Sequence, residues 1–226
     1  MPVDLDEYDN NVLGLMKKNK KYYDDINKGY QNIPDYYRGH IDRFHRAIRL
    51  LESNIVLKDD FYIHEAGAIF PFISLALTYK IGVYAEVSSI QNKPFRLTDN
   101  VYLRYSSLCY DDLGKELYDL IITTEVFEHL SCNLLIVRDK VVDSVKRGGY
   151  WFVSFPMGER NVSMSNYNKD WSNDKVTGKV GFKDYVERHL REFNAETTKQ
   201  FLDILNMKII ASDETSWIHQ FLLKKE

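Results

Sequence analysis

Apolar positions along this chain follow two different periods. Up to about residue 57 they recur at helical spacing. In the stretch HIDRFHRAIRLLE, Ile41, Phe44, Ile48, Leu50 and Leu51 share one face, and Arg43, Arg46 and Arg49 lie on the other. This pattern predicts helices ahead of any strand. From residue 61 onward, short apolar runs alternate with helical stretches. Strands are predicted over 61–64, 83–85, 101–105, 119–122 and 150–156, and helices over 72–79, 125–130 and 134–145, the last stopped by Lys146-Arg147-Gly148-Gly149. Such alternation builds a parallel sheet covered by helices. Asn194 reads as the N-cap of a helix over 195–205. Two further strands, 208–211 and 218–223, are separated only by 212–217, too short for a helical crossover, so they must pair antiparallel.

Between 157 and 181 the period is lost. The segment is rich in Asn, Ser and Lys and is too long for an ordinary connector, which marks a functional or disordered loop. The expected organisation is a helical extension or lid over 1–57 and a single α/β domain over 58–226 containing that loop. In a lid, Tyr36, Tyr37, Arg38 and His40 would touch a ligand.

Composition narrows the partners. With 226 residues, 44% hydrophobic and 28% charged, the chain is an ordinary globular domain, and its net charge of -3 disfavours broad binding to nucleic acid or anionic lipid. Cys109 and Cys132 have no metal-like spacing and indicate no disulfide framework. No apolar stretch is long enough to span a bilayer, and the acidic N-terminal sequence is unlike a signal peptide, so a cytoplasmic location is expected.

Candidate chemistry concentrates in YDLIITTEVFEHL, residues 118–130. If the part after Thr124 is helical, Glu125, Glu128 and His129 stand at i, i+3 and i+4 and share a face where a strand ends, the place where open α/β sheets bind ligands. Earlier, Glu65-Ala66-Gly67 forms a tight turn between strand and helix. Glu86, about 20 residues further on, is spaced to accept hydrogen bonds from a ribose.

Three segments, YDLIITTEVFEHL, VKRGGYWFVSFP and HLREFNAETTKQFLDILNMKII, resemble the class I S-adenosylmethionine-dependent methyltransferases over about residues 45–224. The resemblance implies a Rossmann-like, mostly parallel sheet of seven strands with an antiparallel last strand and helices on both faces. It implies S-adenosylmethionine as cofactor, held by Glu65, Ala66, Gly67, Glu86, Ser107 and Thr124. Ile69 and Pro71 stand where the family has glycines.

The Glu-x-x-Glu-His pattern, with His189 before the late helix, is similar to metal-dependent O-methyltransferases. That likeness implies Glu125, Glu128, His129 and His189 as ligands of Mn²⁺ or Mg²⁺, with His129 and His189 as catalytic residues. A divalent cation favours ionisation of an acceptor hydroxyl. The expected activity is O-methylation of a small polar or sugar-type molecule. The alternatives are an RNA 2′-O-methyltransferase and a non-catalytic partner protein on the same fold.

Overall fold

The computed structural model describes residues 2–27, 32–79, 82–157 and 193–226. The chain forms two compact units, Met1–Ser106 and Ser107–Glu226. The loop at 157–181 lies almost wholly outside the described residues, as does His189.

The first unit begins with four helices: α1 (Leu5–Lys18), α2 (Lys20–Asn27), α3 (Ile33–Gly39) and α4 (Ile41–Asn54). Asp4 caps α1 by accepting from the N–H groups of Asp6 and Glu7, and Tyr8, Val12 and Met16 are buried at four-residue spacing along it. The face predicted for α4 is the one buried, through Phe44, Ala47, Ile48 and Leu51. Strand β1 (Tyr62–Ala66) leads into α5 (Phe72–Thr78), followed by β2 (Tyr84–Ser89), β3 (Phe95–Arg96) and β4 (Val101–Tyr105). Phe72, at the start of α5, stacks on Phe44 at 4.4 Å and Tyr37 at 5.1 Å, which fixes the helical layer on the sheet. Strand order is β3-β4-β2-β1. β1, β2 and β4 are parallel, and the two-residue β3, which no apolar pattern announced, pairs antiparallel with β4.

The second unit holds β5 (Tyr118–Thr124), α6 (Leu134–Ser144), β6 (Val145–Pro156), α7 (Ala195–Leu202), β7 (Met207–Glu214) and β8 (Ile218–Lys225), in the order β5-β6-β8-β7. β5 and β6 are parallel, and β8 runs antiparallel to both β6 and β7, as the short 215–217 connection requires. The fold class is therefore α/β: in each unit three strands share one direction and the fourth opposes them. Asn194 caps α7 in a reciprocal capping box with Thr197. Phe127, Trp151, Phe155, Phe193 and Phe201 pack into one buried aromatic cluster. Lys225 donates to the carbonyls of Val142 and Val145 at 2.9 and 2.7 Å, satisfying the end of α6.

Four expectations need correction. The strand predicted over 119–122 continues through both threonines, because Thr123 Oγ1 accepts a hydrogen bond from the buried Trp151 Nε1 at 2.9 Å. The Lys146-Arg147-Gly148-Gly149 sequence is not a helix stop. Helix α6 ends at Ser144, and these residues form a bulge in β6 opposite Asp119, between the pairs Tyr118–Val145 and Leu120–Tyr150. The stretch over 125–130 is not an α-helix: Glu125 has φ of 53°, and only Phe127–His129 form a 3-10 turn. Cys109 and Cys132 are joined in a disulfide, their Cα atoms 5.7 Å apart. Topology rather than spacing pairs them, since each lies on a loop that follows a strand. Among the described residues no helix is long and apolar enough to cross a membrane.

Gly149 is where the bulge is tightest. A Cβ there would lie 2.9 Å from the Lys146 carbonyl oxygen and 3.0 Å from that of Asp119, backbone atoms that cannot give way. Gly149→Ala should lower unfolding stability by about 2–4 kcal/mol. Gly14→Ala, in the exposed middle of α1 with nothing within 4 Å, should raise it by roughly 0.5–1 kcal/mol. Urea unfolding of the two variants checks both signs.

Candidate functional site

Glu65 is fully buried, and its carboxylate accepts from the backbone N–H of Ser74 in the first turn of α5 at 2.8 Å. Burial pushes its pKa up to about 7 against the hydrogen bonds from Ser74, which act to lower it. This contact clamps the end of β1 to α5 and forces the chain to turn within five residues. Gly67 makes the turn with φ of 84°, its N–H donating to the Ser88 carbonyl at 2.6 Å. Phe70 turns inward against Tyr23 and Phe72, Pro71 is buried at the start of α5, and Gly67 stays exposed. The two residues that stand where glycines were expected are thus accommodated differently: Pro71 joins the core and Ile69 is half-buried.

Glu86 does not occupy the end of its strand. β2 runs three residues beyond it, to Ser89. Its carboxylate pairs with Arg104 Nε at 2.7 Å and accepts from the Tyr62 hydroxyl at 3.5 Å, on the sheet face between the strands. His64, in register with Glu86 on β1, is fully buried, bonds Ser88 Oγ at 2.7 Å, and is held down to a pKa of about 4 mainly by burial. These side chains form a structural network.

The polar groups at the C-terminal ends of β2 and β4 are ones the sequence reading passed over. Ser89 Oγ accepts from the N–H groups of Gln91 and Asn92 at 3.1 and 3.2 Å, shaping the turn after β2. Asn92, 2% exposed, donates through Nδ2 to the Ala68 carbonyl at 3.0 Å, and this bond fixes which way its amide points. Its Oδ1, together with Gln91 Oε1 and Ser106 Oγ, is buried without a hydrogen-bond partner. Buried polar atoms are normally satisfied, so these three, in the segments that follow β2 and β4, have hydrogen-bonding capacity to spare. No sequence motif announces them.

Helix α2 covers these loops. Tyr22 stacks on Phe95 at 4.4 Å and exchanges hydrogen bonds with the backbone of Lys93, and Asp25 pairs with Lys93. Of the residues assigned to a lid, Tyr37 is instead core, fully buried and bonded to Asp9, and Tyr36 packs on His40 and Phe44.

In the second unit, Ser107 is buried and its N–H donates to Asp111 Oδ2 at 2.8 Å. Thr124 is the last residue of β5. Glu125, next in line, accepts from Ser154 Oγ at 2.9 Å through Oε1. The left-handed conformation of Glu125 breaks the helical relation to Glu128 and His129. Glu128 is fully buried, and His129 Nε2 lies 3.7 Å from its Oε1. Among the described residues no three His, Cys, Asp or Glu side chains group in a way that would hold a metal, and His189 is outside them.

No family model and no curated protein matches this chain in sequence. Solved structures do match in fold. A protein from Galdieria sulphuraria assigned as a sarcosine dimethylglycine methyltransferase superposes with a TM-score of 0.59 at 15% identity, covering 82% of this chain and 86% of its own. A SAM dependent methyltransferase from Aquifex aeolicus gives 0.54 at 13% identity, covering 80% and 89%. The [4+2]-cyclase SpnF gives 0.58 at 9% identity, covering 80% of both chains. At such identities the likeness establishes the class I methyltransferase fold.

Two buried groups predict an unusual pH profile. Glu65 binds its proton more tightly in the folded state, so the stability it contributes is present below its unfolded value of 4.5 and lost as pH rises towards 7. His64 does the reverse: its contribution is present above 6.5 and lost as pH falls towards 4. Each displacement is worth about 3 kcal/mol, so between pH 4.5 and 6.5 they oppose and nearly cancel. Glu65→Gln should uncover a rise of roughly 2–3 kcal/mol across that window relative to the parent protein. Denaturant titrations at stepped pH test this, and parallel profiles for the two proteins would refute it.

Proposed function

We propose that this protein binds S-adenosylmethionine and transfers its methyl group to an oxygen or nitrogen of a small polar acceptor. The observation that carries the reading is the set of buried, unsatisfied acceptors, Asn92 Oδ1, Gln91 Oε1 and Ser106 Oγ, beside the exposed Gly67 turn at the C-terminal ends of parallel strands. Ribose hydroxyls are the donors such a set calls for. Gly67, without a side chain, leaves room for the methionine portion.

The cofactor supplies an electrophilic methyl on a sulfonium. An acceptor lone pair takes the methyl, sulfur keeps the bonding pair, and the acceptor's proton must leave. The second unit, taken by itself, carries two groups of proton-accepting chemistry, Glu125, fixed by Ser154 at the end of β5, and His129. A strained left-handed residue bearing a carboxylate at a strand end is a recurrent mark of function. The comparisons support the fold half of this reading. The SpnF likeness is a reminder that one fold hosts several reactions, so the acceptors at the strand ends bear the weight.

Calorimetry with S-adenosylhomocysteine tests the reading. Asn92→Ala should weaken binding about tenfold or more, the effect of losing a hydrogen bond worth about 1.4 kcal/mol. Glu86→Gln, whose carboxylate is engaged by Arg104, should change affinity by less than about twofold. No binding at millimolar ligand would move the chain to the non-catalytic alternative.

A further inference from the structure

The helical part of the first unit holds a cavity that the proposed methyl transfer does not use. It lies among α1, α2 and α3 and measures about 820 Å³, a size that suits a small molecule. Among the described residues its apolar wall includes Leu13 and Met16 of α1 and Ile33 of α3. Met16 and Ile33 are buried, and Leu13 is only half-buried, so part of this apolar surface is left uncovered.

Three cations border the same cavity, Lys17, Lys20 and Arg38, against one carboxylate, Asp24. Lys20 pairs with Asp24, and Arg38 with Asp35 at 3.1 Å, both on exposed helix turns. Pairs of that kind hold weakly and give way to a better-placed anion. Lys17 has no ion-pair partner among the described residues. Tyr23 of α2 completes the wall. It is 5% exposed and its hydroxyl has no hydrogen-bond partner, so the fold leaves a donor unused there.

Gly14 borders the cavity from the middle of α1, where glycine weakens a helix. No close neighbour requires it, since a Cβ there would meet nothing within 4 Å. What the bare Cα does provide is room beside the helix for something in the cavity.

We propose that this cavity binds an amphiphilic carboxylate, its apolar chain on Leu13, Met16 and Ile33 and its carboxylate at Lys17 and Arg38. The chain covers apolar wall that water otherwise wets. The carboxylate meets a planar guanidinium fork from Arg38 and a compact charge from Lys17. A cationic head of the same size would face three like charges and a single opposite one. The site belongs to the first unit alone and does not rest on the function proposed above.

Calorimetry on the full-length protein with octanoate tests the site, with octylammonium and acetate as the matched head and tail controls. Octanoate should bind saturably, one per chain, and at least about tenfold more tightly than either control. Lys17→Glu should weaken octanoate about tenfold or more. Lys18→Glu makes the same charge change in the same last turn of α1, outside this cavity, and should alter affinity by less than about twofold. Gly14→Met places a side chain into the open space beside α1. It should weaken octanoate about tenfold or more, while urea unfolding shows no loss of stability. Absence of saturable octanoate binding would overturn the proposal, as would equal binding of octylammonium or acetate. Equal effects of Lys17→Glu and Lys18→Glu would also overturn it, and so would undiminished binding by a stably folded Gly14→Met.

Discussion

The buried carboxylate of Glu65 governs the first unit. By accepting from Ser74 N–H it binds the end of β1 to the start of α5 and leaves only residues 66–73 to connect them. A span so short must reverse sharply, which Gly67 does in the left-handed region. It must also dispose of a large residue, Phe70. Phe70 meets Tyr23 from α2 and Phe72 from α5, so the loop becomes part of the aromatic core it borders. The contact is costly, since burial makes the carboxyl hold its proton to about pH 7. The first turn of α5 offsets part of that cost, because its N–H groups point at the acid. A rigid strand-to-helix corner is thereby obtained from a turn with Ile69 and Pro71 where two glycines were expected.

The second unit solves the same problem by other means. β5 ends at Thr124, and Glu125 then reverses the chain in a conformation that costs a non-glycine residue about 1–2 kcal/mol. Ser154 holds it there twice, through its backbone carbonyl to Glu125 N–H at 3.3 Å and through its hydroxyl to the carboxylate. Phe127 then drops into the cluster with Trp151, Phe155 and Phe201, and Asn133 begins α6 with its side chain capping Leu135 and Ile136. Between these anchors, Cys132 is joined by a disulfide to Cys109.

The elements were largely legible and the site was not, for a physical reason. Runs such as Leu120-Ile121-Ile122 and the face of α4 carry their periodicity in adjacent letters, and burial follows it. Ends of elements are decided by partners far along the chain. Glu86 was placed at a strand end by counting from the glycine turn, but Val87, Ser88 and Ser89 are all buried and continue the pairing with β1 and β4, and two serines give no apolar signal. The spacing of Glu125, Glu128 and His129 fits a helix on paper, yet the first of them is fixed by Ser154, 29 residues away, in a shape no helix can start from. The cysteine pair is hidden for the same reason: 23 residues separate them, and only the ends of two strands bring them together.

In the proposed function an amide, Asn92, stands at the strand end where a carboxylate was expected, and that changes what the strand end can do. A carboxylate only accepts hydrogen bonds, so it could take a ribose hydroxyl but not also hold the Ala68 carbonyl. Asn92 does both kinds of work with one side chain: its Nδ2 donates to Ala68 O, and its Oδ1 remains an acceptor. A hydroxyl arriving at Oδ1 polarises the amide and strengthens the donation at Nδ2. Under the proposed function, ligand at the end of β2 would therefore strengthen the bond from Asn92 to the turn after β1.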